Sequence, residues 1–247
     1  MAVGLDADTD ALSRASIPSG GAGTLSDGAF TNTGVGVWCY RPTSGNTYGT
    51  TAGGFIIHFK SGARECGIGY NSAGSTLTDP QLQCTYNSGG GAGTPATFGS
   101  QSPLDTWCYY VFLDNSTSGQ IGAWRELGND TWNSISRTND NAGSQYTNTL
   151  SFGNTDAVSA TVMGRYAYAR ARYGSGQTLA NWLTYSKDVA TVSGDWGFWD
   201  LTNNTDTADT SGNSRTLTFS GTITSETDPT LDGAVAFLRK MLLLGVA

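Results

Sequence analysis

The reactive side chains of this chain are few. It carries one imidazole, His58, three glutamates, Glu65, Glu126 and Glu226, and four cysteines, Cys39, Cys66, Cys84 and Cys108. A serine or cysteine nucleophile needs a positioned base, and His58 falls inside the apolar run Phe55 to Phe59, so it reads as a structural histidine. Glycoside cleavage needs two carboxylates flanking the scissile bond, and acids two residues apart on a strand would put both on one face within such reach. Only Glu226 has an acid two residues away, Asp228, and Pro229 places that acid in a turn. The stretch Gly89-Gly90-Gly91-Ala92-Gly93 lacks the Lys-Ser/Thr that a phosphate loop requires. A single histidine and no Cys-x-x-Cys pair exclude a zinc site. The four cysteines are either buried thiols or disulfide partners. The sequence therefore predicts a protein that is not an enzyme.

Recognition chemistry remains. Trp124, Trp132, Tyr146 and Arg165 lie in polar strand or turn surroundings, where rings could stack on sugar faces and a guanidinium could bond hydroxyls. Ordinary core packing is the competing explanation for each of these aromatics. Trp38, Trp107, Trp196 and Trp199 sit in apolar runs and are expected in the core. A formal charge of −7 with only three lysines excludes a nucleic-acid partner, which needs a dense cationic face. The longest apolar stretch, around Met241 to Leu244, is too short for a membrane span of ~20 residues.

The elements that must position these residues are short strands bounded by turn residues. Val35–Tyr40, Phe55–Phe59, Glu65–Tyr70, Gln81–Tyr86, Trp107–Leu113, Gln120–Glu126, Thr131–Ser136, Thr161–Arg172, Trp196–Leu201 and Arg215–Phe219 all read as strands. Residues 87–103 read as a loop. One helix is expected over Leu179–Lys187, capped by Thr178. Many strands and one short helix predict an all-β sandwich of two antiparallel sheets.

Several phrases, taken in order, resemble the concanavalin A-like, laminin-G-like superfamily as it occurs in bacterial adhesins and phage virion proteins. Val3 to Leu12 resembles its first strand, and Val35-Gly36-Val37-Trp38 the strand that follows. Thr106-Trp107-Cys108-Tyr109-Tyr110-Val111-Phe112-Leu113-Asp114 resembles its "WhhvavtxDg" strand. Ala167 to Arg172 with Leu179-Ala180-Asn181-Trp182 resembles its closing strand and helix, although Asn181-Trp182 replaces the usual acid and aliphatic. Trp196 to Leu201 followed by Asp209-Thr210-Ser211-Gly212-Asn213 resembles its "yWpl…D.sGn" phrase. The resemblance implies a jelly-roll domain over residues 1–230. It also implies calcium as a possible ligand, with Asp114, Asp156 and Asp195 as candidate ligands. The expected function is a virion structural module, a capsid-decorating or tail-associated protein with a glycan-binding face. The alternative is a glycan-binding adhesin. Expected partners are other capsid or tail subunits, copies of the chain itself and surface glycans, and the expected location is the virion, since no signal peptide is visible.

Three finer expectations follow. If residues 71–79 form a symmetric connection, Cys66 and Cys84 face each other across a hairpin and are disulfide candidates. Cys39 and Cys108, each inside a Trp-Cys-Tyr triplet, are expected to be buried thiols on neighbouring strands. Residues 231–247 are expected to form an assembly arm. Its apolar side chains Val235, Phe237, Leu238, Met241, Leu242 and Leu244 fit both helical and strand spacing.

Overall fold

The computed structural model describes residues 2–5, 11–15, 33–43, 54–61, 64–70, 82–88, 96–115, 119–137, 149–153, 162, 164–174, 177–201, 208–221 and 223–231. Within them the chain is a sandwich of two antiparallel sheets with one short helix. The first sheet contains β1 (Ala2–Leu5), β3 (Thr33–Tyr40), β8 (Trp107–Asn115), β9 (Gly119–Glu126), β10 (Asn133–Arg137), β12 (Gly164–Tyr173), β13 (Asp195–Trp199) and β15 (Ile223–Glu226). Their order is β10-β9-β8-β3-β12-β1-β15, and β13 also pairs with β12. The second sheet contains β2 (Ala11–Ala15), β4 (Phe55–Ser61), β5 (Arg64–Tyr70), β6 (Leu82–Ser88), β7 (Ala96–Thr97), β11 (Thr149–Phe152) and β14 (Thr218–Ser220). These run β14-β2-β11-β4-β5-β6-β7.

Strand alternation explains the core. Val35, Val37 and Cys39 of β3, Tyr110 and Phe112 of β8, Trp124 of β9 and Tyr166 of β12 point between the sheets. They meet Ile57, Phe59, Ile68, Leu150 and Phe152 from the second sheet. The opposite, outer face of the first sheet is buried as well. There Trp38, Tyr109, Val111, Leu113, Ala123 and Ala167 pack beneath Trp182 of helix α1 (Leu179–Ser186). Burial on both faces accounts for the near-continuous apolar reading of β3 and β8, a pattern that one solvated face would not produce. Helix α1 begins where expected, with the Thr178 hydroxyl accepting from the Asn181 amide at 3.3 Å.

Two glycines seat that helix. A Cβ on Gly34 would lie 2.5 Å from Cζ2 of Trp182, and one on Gly36 would collide with Tyr109 and Trp182. The Trp182 indole thus lies in a trough that only glycine leaves open, and its Nε1 donates to Gln177 at 2.9 Å.

Several expectations need correction. Val3 to Leu12 is not one strand: it contains β1 and the start of β2, which belong to different sheets. Residues 87–103 include the end of β6 and the two-residue strand β7. The hairpin of β5 and β6 forms, but its register is shifted by two: Cys66 pairs with Tyr86, and Cys84 with Ile68. Such diagonal neighbours have Cα atoms about 7–8 Å apart, beyond what a disulfide spans without backbone movement. Cys39 and Cys108 are register partners on β3 and β8, and both are buried free thiols. Burial pushes each thiol up to about 12, so neither is a thiolate nucleophile at neutral pH. His58 is fully buried in β4, its ring 4.3 Å from that of Phe55.

Candidate functional site

Strand β12 supplies the outer face of the first sheet with its arginines. Its alternation is interrupted between Ala167 and Arg170 by a register shift, and Tyr168 at that point has φ 48°. The extra residue resets the phase, so Arg165 before it and Arg170 and Arg172 after it all project outward.

Arg165 pairs in register with Tyr40 of β3 on one side and Gly4 of β1 on the other. Glycine at position 4 offers no side chain, and the guanidinium reaches across to β15, where its Nε is 3.2 Å from Oε2 of Glu226. On the other flank it lies 4.9 Å from the Tyr40 ring centroid. The Tyr40 ring is in turn 5.7 Å from that of Trp107. The side chains of Arg165 and Glu226 remain 38% and 29% exposed, and Tyr40 and Trp107 are half-buried. The result is a solvent-facing row of ring, ring, guanidinium and carboxylate across five adjacent strands, four of which supply a side chain.

Beside the row opens a cleft of about 560 Å³ lined by Tyr168, Glu226, Asp228, Pro229 and Thr230 among others. The Tyr168 hydroxyl donates to Oδ2 of Asp228 at 3.4 Å. Burial raises the Tyr168 hydroxyl and the Asp228 carboxyl above their ordinary values. At the far end of the row, the Tyr40 hydroxyl donates to Asp105 at 3.5 Å. Bonds from the Thr43 hydroxyl and amide hold that exposed carboxyl below its usual range. Rings for stacking thus lie beside acceptors and a guanidinium for hydroxyl groups.

Of the residues expected to bind glycan, Arg165 alone falls in this row. Trp124 is 3% exposed and belongs to the core between the sheets, because β9 turns its even positions inward. Trp132 is partly buried in the outer cluster, and its Nε1 donates to the Leu179 carbonyl at 3.1 Å, tying α1 down. Trp107, expected in the core, is half-exposed in the row. Tyr146 lies outside the described residues. Tyr40, Tyr168, Glu226 and Asp228 were not singled out as binding residues. The alternation of β3, with Val35, Val37 and Cys39 inward, is the signal that would have placed Tyr40 outward.

The proposed metal ligands also separate. Asp195 is committed elsewhere: Oδ2 lies 3.4 Å from Nε of Arg170 and accepts the Val192 amide at 2.9 Å, while Oδ1 pairs with Arg172. Two guanidiniums on one buried carboxylate leave no place for a cation. Asp156 lies outside the described residues. Asp114 is buried near the end of β8, and burial raises its carboxyl to about 7. Among the described residues no group of three His, Cys, Asp or Glu side chains could hold a metal. The residues of the expected assembly arm, from Val235 to Leu244, lie outside the described residues. Leu231, just before them, is buried in the outer cluster.

The sequence matches no protein-family model and no curated protein. Among solved structures, a protein from Bacteroides ovatus named as carbohydrate-binding aligns with TM-score 0.53 and 13% identity, over 90% of this chain and 61% of its own. Tailspike protein 2 of an Escherichia coli O157:H7 bacteriophage aligns with TM-score 0.48 and 11% identity, over 69% of this chain and 24% of the tailspike. A pentraxin from Limulus polyphemus gives TM-score 0.41 and 10% identity, over 69% of this chain and 74% of its own. The alignment to the Bacteroides ovatus protein, at 13% identity, is a likeness of fold alone, a β-sandwich.

Proposed function

We propose that this chain is a non-catalytic recognition module whose Tyr40–Arg165–Glu226 row and adjoining Tyr168 cleft bind surface glycans. One observation carries the reading. Arg165 is held half-exposed between an aromatic ring and a carboxylate, its guanidinium crossing over buried Gly4 at the edge of an open cleft. A saccharide laid along this strip stacks its apolar face on Tyr40 or Trp107 and bonds its hydroxyls to Arg165, Glu226 and Asp228. The carboxylates are engaged by Arg165 and Tyr168, and among the described residues no base-and-nucleophile pair joins them. The module belongs, on this reading, to a virion attachment or decoration assembly, and the apolar run Val235 to Leu244 joins it to partner subunits or to further copies of the chain. An adhesin on a cell surface is the other setting for the same site.

A glycan array probed with the full chain tests the binding. The expected result is a restricted set of bound saccharides, with Tyr40→Ala weakening each at least ~10-fold, the loss of about 1.4 kcal/mol of contact. No bound glycan, or binding indifferent to Tyr40→Ala, overturns the reading.

A further inference from the structure

The outer row follows the strand register across the first sheet. Trp107 on β8 is the register partner of Tyr40 on β3, and Tyr40 of Arg165 on β12. Arg165 pairs in turn with Gly4 on β1, and Gly4 with Thr224 on β15. The line thus crosses five adjacent strands, one residue from each, and four inter-strand steps of about 4.8 Å make it about 19 Å long. Its two ends differ. Rings stand at the Trp107 end, whereas at the other the Thr224 hydroxyl donates to Oε1 of Glu226 at 3.3 Å. Charge along the line is mainly negative. Arg165 is the one cation among its five residues, and Glu226 already lies 3.2 Å from its Nε. Asp105 accepts from the Tyr40 hydroxyl at the aromatic end, and Asp228 stands in the cleft at the polar end.

We propose that the row takes an uncharged glycan chain of at least about four sugar units, laid across the strands and held along its length rather than by its terminal sugar. The inference rests on the reading of the row as a glycan site, and it adds the length and charge of what that site binds. A pyranose unit extends a glycan chain by roughly one inter-strand step, so the line accommodates about four. A single sugar touches the Tyr40 ring or the Thr224–Glu226 end but not both, because three steps, about 14 Å, separate them. An acidic sugar would have to take Arg165 from Glu226, leaving that carboxylate without its partner, and would face Asp105 and Asp228 as like charges. Sugar hydroxyl and acetamide groups bond to the guanidinium and the carboxylates without displacing either charge.

Titration of the full chain with length ladders tests the assignment. The ladders run from monosaccharide to hexasaccharide in glucose, mannose, galactose and N-acetylglucosamine, with oligogalacturonates of the same lengths as the acidic counterpart. The expected result is binding to at least one uncharged ladder, with affinity rising at least ~10-fold from the monosaccharide to the tetrasaccharide and less than ~2-fold beyond the pentasaccharide. The oligogalacturonates should not bind. A monosaccharide bound as tightly as the tetrasaccharide, or an oligogalacturonate bound more tightly than every uncharged chain, overturns the inference; if Tyr40→Ala weakens that binding, the row still stands as a glycan site. No binding in any ladder, or binding indifferent to Tyr40→Ala, overturns the row and the inference together.

Discussion

Arg165 and Arg170 lie on one face of one strand, five residues apart, and do different work. Arg165 is half-exposed and shares a single carboxylate with water. Arg170 is 1% exposed. With Arg172 it encloses Asp195 and donates to the carbonyls of Tyr185 and Ala190, while Arg172 reaches Ser193 at 2.7 Å. The pair lies against Tyr185 and Phe198, with guanidinium-to-ring distances of 4.2 Å (Arg172 to Tyr185) and 4.6 Å (Arg170 to Phe198). The inner cluster fastens the end of α1 and the loop after it to the sheet. The outer row has side chains free to exchange water for a ligand. Residue type and facing direction are shared, so what covers the residue decides between a fastening and a site.

The sharpest way to break this comparison is to remove a partner from each. Asp195→Ala leaves two buried guanidiniums without their carboxylate and should cost about 3–5 kcal/mol, read as a drop in the denaturant midpoint. Arg165→Ala breaks a screened surface pair and should cost less than about 1 kcal/mol. Similar losses in the two variants would show that the outer pair is structural after all.

Asp114 extends the comparison to a buried carboxylate that has no arginine beside it among the described residues. Its folded value near 7 lies above the ordinary one near 3.9. Between about pH 4 and 7 the folded state therefore keeps a proton that the unfolded state has lost. Stability should fall across that window, on the order of 4 kcal/mol in total, and be flat above it. Asp114→Asn should flatten the profile. A wild-type profile that rises from pH 4 to 7 would mean that Asp114 is ionised and stabilised by another group.

A smaller effect is expected beneath the helix. Gly34→Ala drives a methyl into the Trp182 indole and should cost about 1–3 kcal/mol, with a change in tryptophan fluorescence. An unchanged melting temperature would show that α1 shifts freely on its trough.

The sequence made the sandwich legible because most strands are bounded by turn residues and the helix has a hydroxyl cap. The site was less legible, for local reasons. A bulge at Tyr168 is invisible to simple alternation, so the direction of each arginine on β12 could not be counted from Arg165. Trp124 and Trp132 have similarly polar neighbours, yet one faces the second sheet and the other the helix, and that depends on coverage from distant segments. Register across the 71–81 connection hinges on its turn geometry, and an error of two residues separates Cys66 from Cys84 while preserving the face. Glu226 meets Arg165 only because β15 pairs with β1, a contact between opposite ends of the described chain.

Calorimetry of Arg165→Ala against a saccharide that the wild-type chain binds tests the central claim most directly, with thermal unfolding measured on the same samples. The account predicts a melting temperature within about 2 °C of wild type and a loss of affinity of at least ~10-fold. Wild-type affinity in that variant would contradict it and place the glycan elsewhere on the molecule.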